Sequence, residues 1–230
     1  MSAHVIITAG HRNRTGGGTP GEQERTPRFA HAYVDALRAA GHAVHYVQSL
    51  DDAKDRRPDF YSGTLDEVAK RVLRIATDIP GDAIVMLDLH IEDAAAPRGC
   101  FAVVPDDPSA KSATAGAHAD TWSQNERERV IGASIIAAIS AATGIPMRTA
   151  TAPGLMSERA TGVGAGGSRL AMFRVTAPAR GRMVRLLIEH GNIEKDRALL
   201  DAPETPMRCG RAVAEVMTRY FGGPMLSSPG

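Results

Sequence analysis

The chain is poor in several of the residues that mark common architectures. Among its 230 residues there are two cysteines, Cys100 and Cys209, and they form no Cys-x-x-Cys pair. That excludes a cysteine-rich zinc site, argues against a disulfide framework, and leaves both as packing residues. No apolar run approaches the roughly 20 residues needed to cross a bilayer, so no membrane partner is expected. Charge is nearly balanced, with 27 basic and 26 acidic residues and a net charge of +1. Such a surface lacks the electrostatic footprint of a nucleic-acid partner. Only four of the basic residues are lysine, a bias we attribute to codon composition before function.

Apolar residues make up 43% of the chain and charged residues 23%, ordinary proportions for a globular domain with a sizeable core. The N-terminal "MSAHVIITAGHRN" has no basic n-region and no small-residue cleavage site after its apolar run. It therefore reads as a first strand rather than a signal peptide, and a cytoplasmic location is expected for the chain as encoded.

Short apolar runs then alternate with helical periodicity. Residues 23–40 set Phe29, Tyr33, Ala36, Leu37 and Ala40 on one helix face, closed by Gly41. "HAVHYVQ" gives the second strand, Leu65 to Ala76 the second helix, and "DAIVMLDLH" the third strand. "CFAVV" follows, then a polar stretch over 105–125, a helix over 126–142, further strands at "RLAMF" and "MVRLLIEHG", and a last helix over 206–221. This order implies one α/β domain over residues 1–222, with a mostly parallel twisted sheet covered by helices on both faces, and a flexible tail over 223–230. "GVGAGG", residues 162–167, formally matches a dinucleotide fingerprint. It neither follows a strand nor opens a helix, so that reading is rejected. The surrounding "TAPGLMSERATGVGAGGS" is either a mobile loop over a site, with Arg159 or Arg169 meeting a substrate carboxylate, or a plain connector.

In open α/β sheets, sites form at the carboxyl ends of the strands. His11 follows the first strand, His90 ends the third and Glu189 ends "MVRLLI", so three ionisable residues share one structural address. Catalytic zinc takes three protein ligands and leaves one position open. His11, His90 and a carboxylate from the start of the first helix, Glu22 or Glu24, match that count. Gly16, Gly17, Gly18 and Gly21 permit the turns that fold the two ends together. A first-turn glutamate is also favoured by the helix dipole alone. Asp88 shares a strand face with His90 and is placed either to hold its imidazole or to cap a loop N–H. His190 faces the other way and reads as structural. His31, His42, His45 and His118 have no ligand-like spacing.

"ITAGHRN…GGGTPGEQE", "VMLDLH" and "RLLIEHGNIEKDRALLDAPE" together resemble the zinc-dependent N-acetylmuramoyl-L-alanine amidases of the type-3 amidase family. Members of that family show a strand ending in Gly-His, a glycine-rich loop to a Glu, a strand ending in Ser-x-His, and a late strand ending in Glu. The resemblance implies zinc held by His11, Glu22 and His90. Glu22 is preferred to Glu24 because the family's glutamate lies 19 residues before the glycine that corresponds to Gly41. It implies Glu189 as the catalytic proton shuttle. It further implies that a water activated by the metal cleaves the bond between N-acetylmuramic acid and L-alanine in peptidoglycan or muropeptides, the wall being reached by a separate route. Arg12, Glu92 and Asp93 stand where the family keeps small or neutral groups. These departures leave room for a second reading, zinc hydrolysis of a small, cationic, non-peptidoglycan amide. A third is a binding module without turnover, against which the presence of Glu189 argues. The number of subunits is not fixed by the sequence.

Overall fold

The computed structural model describes residues 2–10, 19–47, 65–105, 126–148, 154–158 and 170–222. Strands β1 (His4–Ala9), β3 (Ile84–Glu92) and β6 (Met183–Asn192) are almost continuous apolar runs. That is the pattern of strands buried on both faces. They occupy the middle of a six-stranded sheet of order β2-β1-β3-β6-β4-β5, in which β2 is Ala43–Val47, β4 is Phe101–Val104 and β5 is Leu155–Ser157. β1 runs parallel to β2 and β3, β3 to β6, and β4 to β5. β4 runs against β6. The sheet is therefore mixed and mostly parallel, and the reversal at β4 brings the start of that strand to the edge where the parallel strands end.

Helices α1 (Glu22–Ala39), α3 (Glu126–Thr143) and α6 (Thr205–Phe221) cover one face. Helix α2 (Leu65–Asp78) and the short α4 (Ala171–Val175) cover the other. A single turn, α5 (Arg197–Leu200), precedes α6. The strands feed both cores by alternation: Val85, Leu87 and Leu89 enter the first, Ile84 and Met86 the second. Continuing that alternation puts Asp88 and His90 on the α2/α4 face, at the end of the strand.

Two expectations are corrected. "RLAMF" is not a strand, because Ala171–Val175 is helical and buries Met172 and Phe173 under α2. Four apolar residues in a row, Leu170 to Phe173, carry no periodicity that separates a strand from a helical turn. The stretch read as a loop, in contrast, contains β5, which pairs with β4 from Leu155 to Ser157. Cys100 and Cys209 are buried and unbridged, as packing residues should be. Residues 223–230, expected to be a tail, lie outside the described residues, as do the "GVGAGG" segment, Arg159 and Arg169.

Candidate active site

Glu22 reaches the sheet because the chain turns into α1 through Gly21, whose φ of 92° favours glycine. The carboxylate then serves two backbone donors. Oε2 accepts the N–H of Thr19 at 3.1 Å, and Oε1 accepts the N–H of Ile91 at 3.2 Å. The same Oε1 lies 3.0 Å from Nδ1 of His90. Both side chains are buried. Glu22 also stands in the first turn of α1, where the helix dipole favours a carboxylate.

His90 is packed on Gly10, the residue that ends the first strand and precedes His11. A Cβ at Gly10 would overlap ring atoms of His90. Gly10→Ala is therefore expected to displace that ring and cost about 1–3 kcal/mol. A shifted unfolding midpoint together with altered His90 ring resonances checks this. The other ring nitrogen, Nε2, lies 3.2 Å from Oδ2 of Asp88. Burial opposes charge on this ring, but the flanking carboxylates of Asp88 and Glu22 outweigh it and hold the imidazole pKa well above its usual value.

Glu189 is the registered neighbour of His90 across β3 and β6, and of Phe101 across β6 and β4. Its Oε2 is sealed from solvent and has no hydrogen-bond partner among the described residues. Burial, reinforced by Glu92 and Glu22 against the opposing charges of His90 and Arg148, pushes this carboxyl up to about 8. A carboxyl with that proton affinity can both take and return a proton near neutral pH.

The acidic Glu92 is already matched. Arg148 donates from Nη1 to Glu92 Oε2 at 2.9 Å and from Nη2 to the carbonyl of Pro97 at 2.8 Å. Its guanidinium carbon lies 4.2 Å from the centroid of the Phe101 ring. Asp93 is exposed and accepts hydrogen bonds from Thr19 Oγ1 and the N–H of Ala95. β3 and β6 slip register between His90 and Glu92, an irregularity that re-aims side chains beside the site.

Behind the sheet, His190 faces α1. It contacts the Phe29 ring, shares a 2.8 Å hydrogen bond with the Tyr33 hydroxyl, and donates from Nδ1 to the His90 carbonyl at 3.0 Å. Burial pushes its imidazole down to about 4 and so keeps it neutral. The structural role read for it in the sequence fits this setting.

Of the four predicted site residues, Glu22, His90 and Glu189 stand together at one edge of the sheet, and His11 lies outside the described residues. Among the described residues, no group of three His, Cys, Asp or Glu side chains is arranged to hold a metal ion. Sequence reasoning missed Arg148, Thr8 and Tyr33. Only Thr8 carried a local signal, lying two residues before Gly10 on the face that Gly10 shares.

No protein-family model matches the sequence, and no curated protein does. Solved structures match along nearly the whole chain. Ami1, an N-acetylmuramyl-L-alanine amidase of Mycobacterium smegmatis, aligns over 96% of this chain and 97% of its own at a TM-score of 0.61 and 19% identity. The fold is that of the N-acetylmuramoyl-L-alanine amidases. The catalytic domain of the amidase CwlV from Bacillus (Paenibacillus) polymyxa var. colistinus aligns over 96% and 98%, with a TM-score of 0.59 and 15% identity. The CwlD amidase of Clostridioides difficile, solved in complex with the GerS lipoprotein, aligns over 96% and 99%, with a TM-score of 0.62 and 12% identity. The fold of these amidases thus aligns with 96% of this chain as a single domain.

Proposed function

We propose that this protein is a zinc-dependent amide hydrolase acting on the bond between N-acetylmuramic acid and L-alanine in peptidoglycan or its fragments. One observation carries the reading: Glu22 Oε1 and His90 Nδ1 meet at 3.0 Å beside Glu189, whose buried Oε2 lacks a partner among the described residues. Two ligand atoms bound to one tetrahedral zinc at about 2.0–2.1 Å each stand near that spacing. Gly10, which lies against the His90 ring, is followed in the sequence by His11. The chemistry of Glu22 and His90 suits two of the metal's three protein ligands, and His11, outside the described residues, is the third holder in this reading.

Zinc, when bound, supplies polarisation of the amide carbonyl and acidification of the attacking water. The protein's own part is acid–base work and placement. Glu189 takes a proton from the water at its carboxylate and returns it to the departing amine nitrogen. The burial that raises its proton affinity suits it to both transfers. Arg148 cancels the charge of Glu92, which weakens the case for a small cationic substrate.

The test is twofold. Elemental analysis of purified protein should find one zinc per chain in the wild type and none in His11→Ala, His90→Ala or Glu22→Gln. Undiminished zinc in those variants would refute the ligand set. Amide release should be found on muropeptides and be weak or absent on a panel of small amides. The opposite preference would move the reading to the small-amide alternative.

A further inference from the structure

Asp88 precedes His90 by two residues and shares its strand face. It is only 5% exposed. Its Oδ2 lies 3.2 Å from His90 Nε2, and its Oδ1 accepts the hydroxyl hydrogen of Thr8 at 2.6 Å. Thr8 is the registered neighbour of Asp88 on β1 and is itself 1% exposed. A carboxylate tied at one oxygen by a buried hydroxyl has little freedom at the other. The opposite ring nitrogen, Nδ1, faces Glu22 Oε1 at 3.0 Å. Glu22 and Asp88 thus flank the imidazole at its two nitrogens.

We infer that Asp88, held by Thr8, is a positioning residue that keeps the ring proton of His90 on Nε2 and leaves the Nδ1 lone pair to bind the metal. The inference rests on the zinc reading above and adds which nitrogen binds and what sets it. A neutral imidazole carries one N–H, and the hydrogen bond made by one nitrogen decides which one is free to donate its lone pair. A carboxylate at the second nitrogen fixes the ring orientation and raises its basicity, and losing such a partner typically weakens metal affinity 10–100-fold.

The experiment is zinc competition against a chromophoric chelator on the full chain, with unfolding midpoints to confirm that each variant is folded. Asp88→Ala is expected to bind one zinc about 10–100-fold more weakly. Thr8→Val should show a smaller loss, and Asp88→Ser, which restores an acceptor, should recover part of the affinity. In ¹⁵N spectra of the zinc-loaded wild type, the His90 proton should sit on Nε2. Unchanged affinity in Asp88→Ala, or a proton on Nδ1, overturns the inference. So does complete loss of zinc in a folded Asp88→Ala protein, which would make Asp88 a ligand. Failure of the zinc reading shows itself separately, as wild-type protein that binds no zinc. The ring proton is then read from ¹⁵N shifts of the metal-free protein at alkaline pH, where a proton on Nε2 still supports the Asp88 assignment and one on Nδ1 still refutes it.

Discussion

Glu189→Gln is expected to lower kcat for amide cleavage by about 10²–10⁴-fold while leaving KM nearly unchanged. The side chain keeps its size and its place between His90 and Phe101 in the sheet. What it loses is the ability to accept a proton, so the deficit belongs to the transition state rather than to substrate binding. Steady-state kinetics on a muropeptide substrate checks this, and a fall in kcat of less than about tenfold would remove Glu189 from the proposed mechanism. A second consequence needs no substrate. Burial raises the folded-state value of this carboxyl from 4.5 to about 8. Between those values the folded chain keeps a proton that the unfolded chain releases, so metal-free stability should fall as pH rises, by up to about 1.4 kcal/mol per unit. Below about pH 4.5 both states hold the proton and the contribution is fully present. His90, also raised, pushes in the same direction above its ordinary value, its contribution disappearing as pH passes its folded-state pKa. The Glu189 share is therefore the difference between wild type and Glu189→Gln. That difference should shrink steadily with pH across the window, and a constant difference would contradict the burial of the carboxyl.

Glu128→Ala is expected to destabilise the protein by about 3–5 kcal/mol. Glu128, in the first turn of α3, is fully buried, and Arg185 on β6 is 6% exposed. Glu128 Oε1 accepts the Nε–H of Arg185 at 3.0 Å and its backbone N–H at 3.2 Å. β4 pairs with β6 only as far as Leu187, so this carboxylate stands where a neighbouring strand would otherwise meet Arg185. Removing it strands a guanidinium and an amide away from water. Replacing both partners together, as Glu128→Leu with Arg185→Met, should cost far less, because no unpaired charge remains. Denaturant unfolding with an unchanged m-value distinguishes the two cases.

Much of the architecture was legible because its signals are local. The apolar runs around Ile6, Met86 and Leu186 and the helical stripe through Phe29, Tyr33 and Leu37 each announce an element within a dozen residues. Those signals also put His90 and Glu189 at strand ends, where the sheet brings them side by side. The ring of His190 pointing the other way follows from the same alternation. What the sequence hid is whatever depends on pairing between distant segments. Glu128 and Arg185 are 57 positions apart, and Arg148 meets Glu92 across 56. No spacing rule connects either pair. β5 was missed for a related reason: three residues are too few for alternation to show, and its identity comes from pairing with β4. "RLAMF" failed in the opposite sense, since its apolar run suits a strand but α2 offers it a helical packing surface.

Hydrogen bonds fasten helix α1 to the sheet near its start, from Glu22 and Thr26, and again further along, from Tyr33. Near its start Glu22 holds the amide of Ile91, and three turns later, about 16 Å along the axis, the Tyr33 hydroxyl holds His190. A stiff rod held at both places resists rolling and sliding. The 3.0 Å approach of Glu22 to His90 therefore depends on how the whole helix is held. Loosening the distant pin, for instance with Tyr33→Phe, would let the near end drift even though the substituted atom lies on the far side of the sheet.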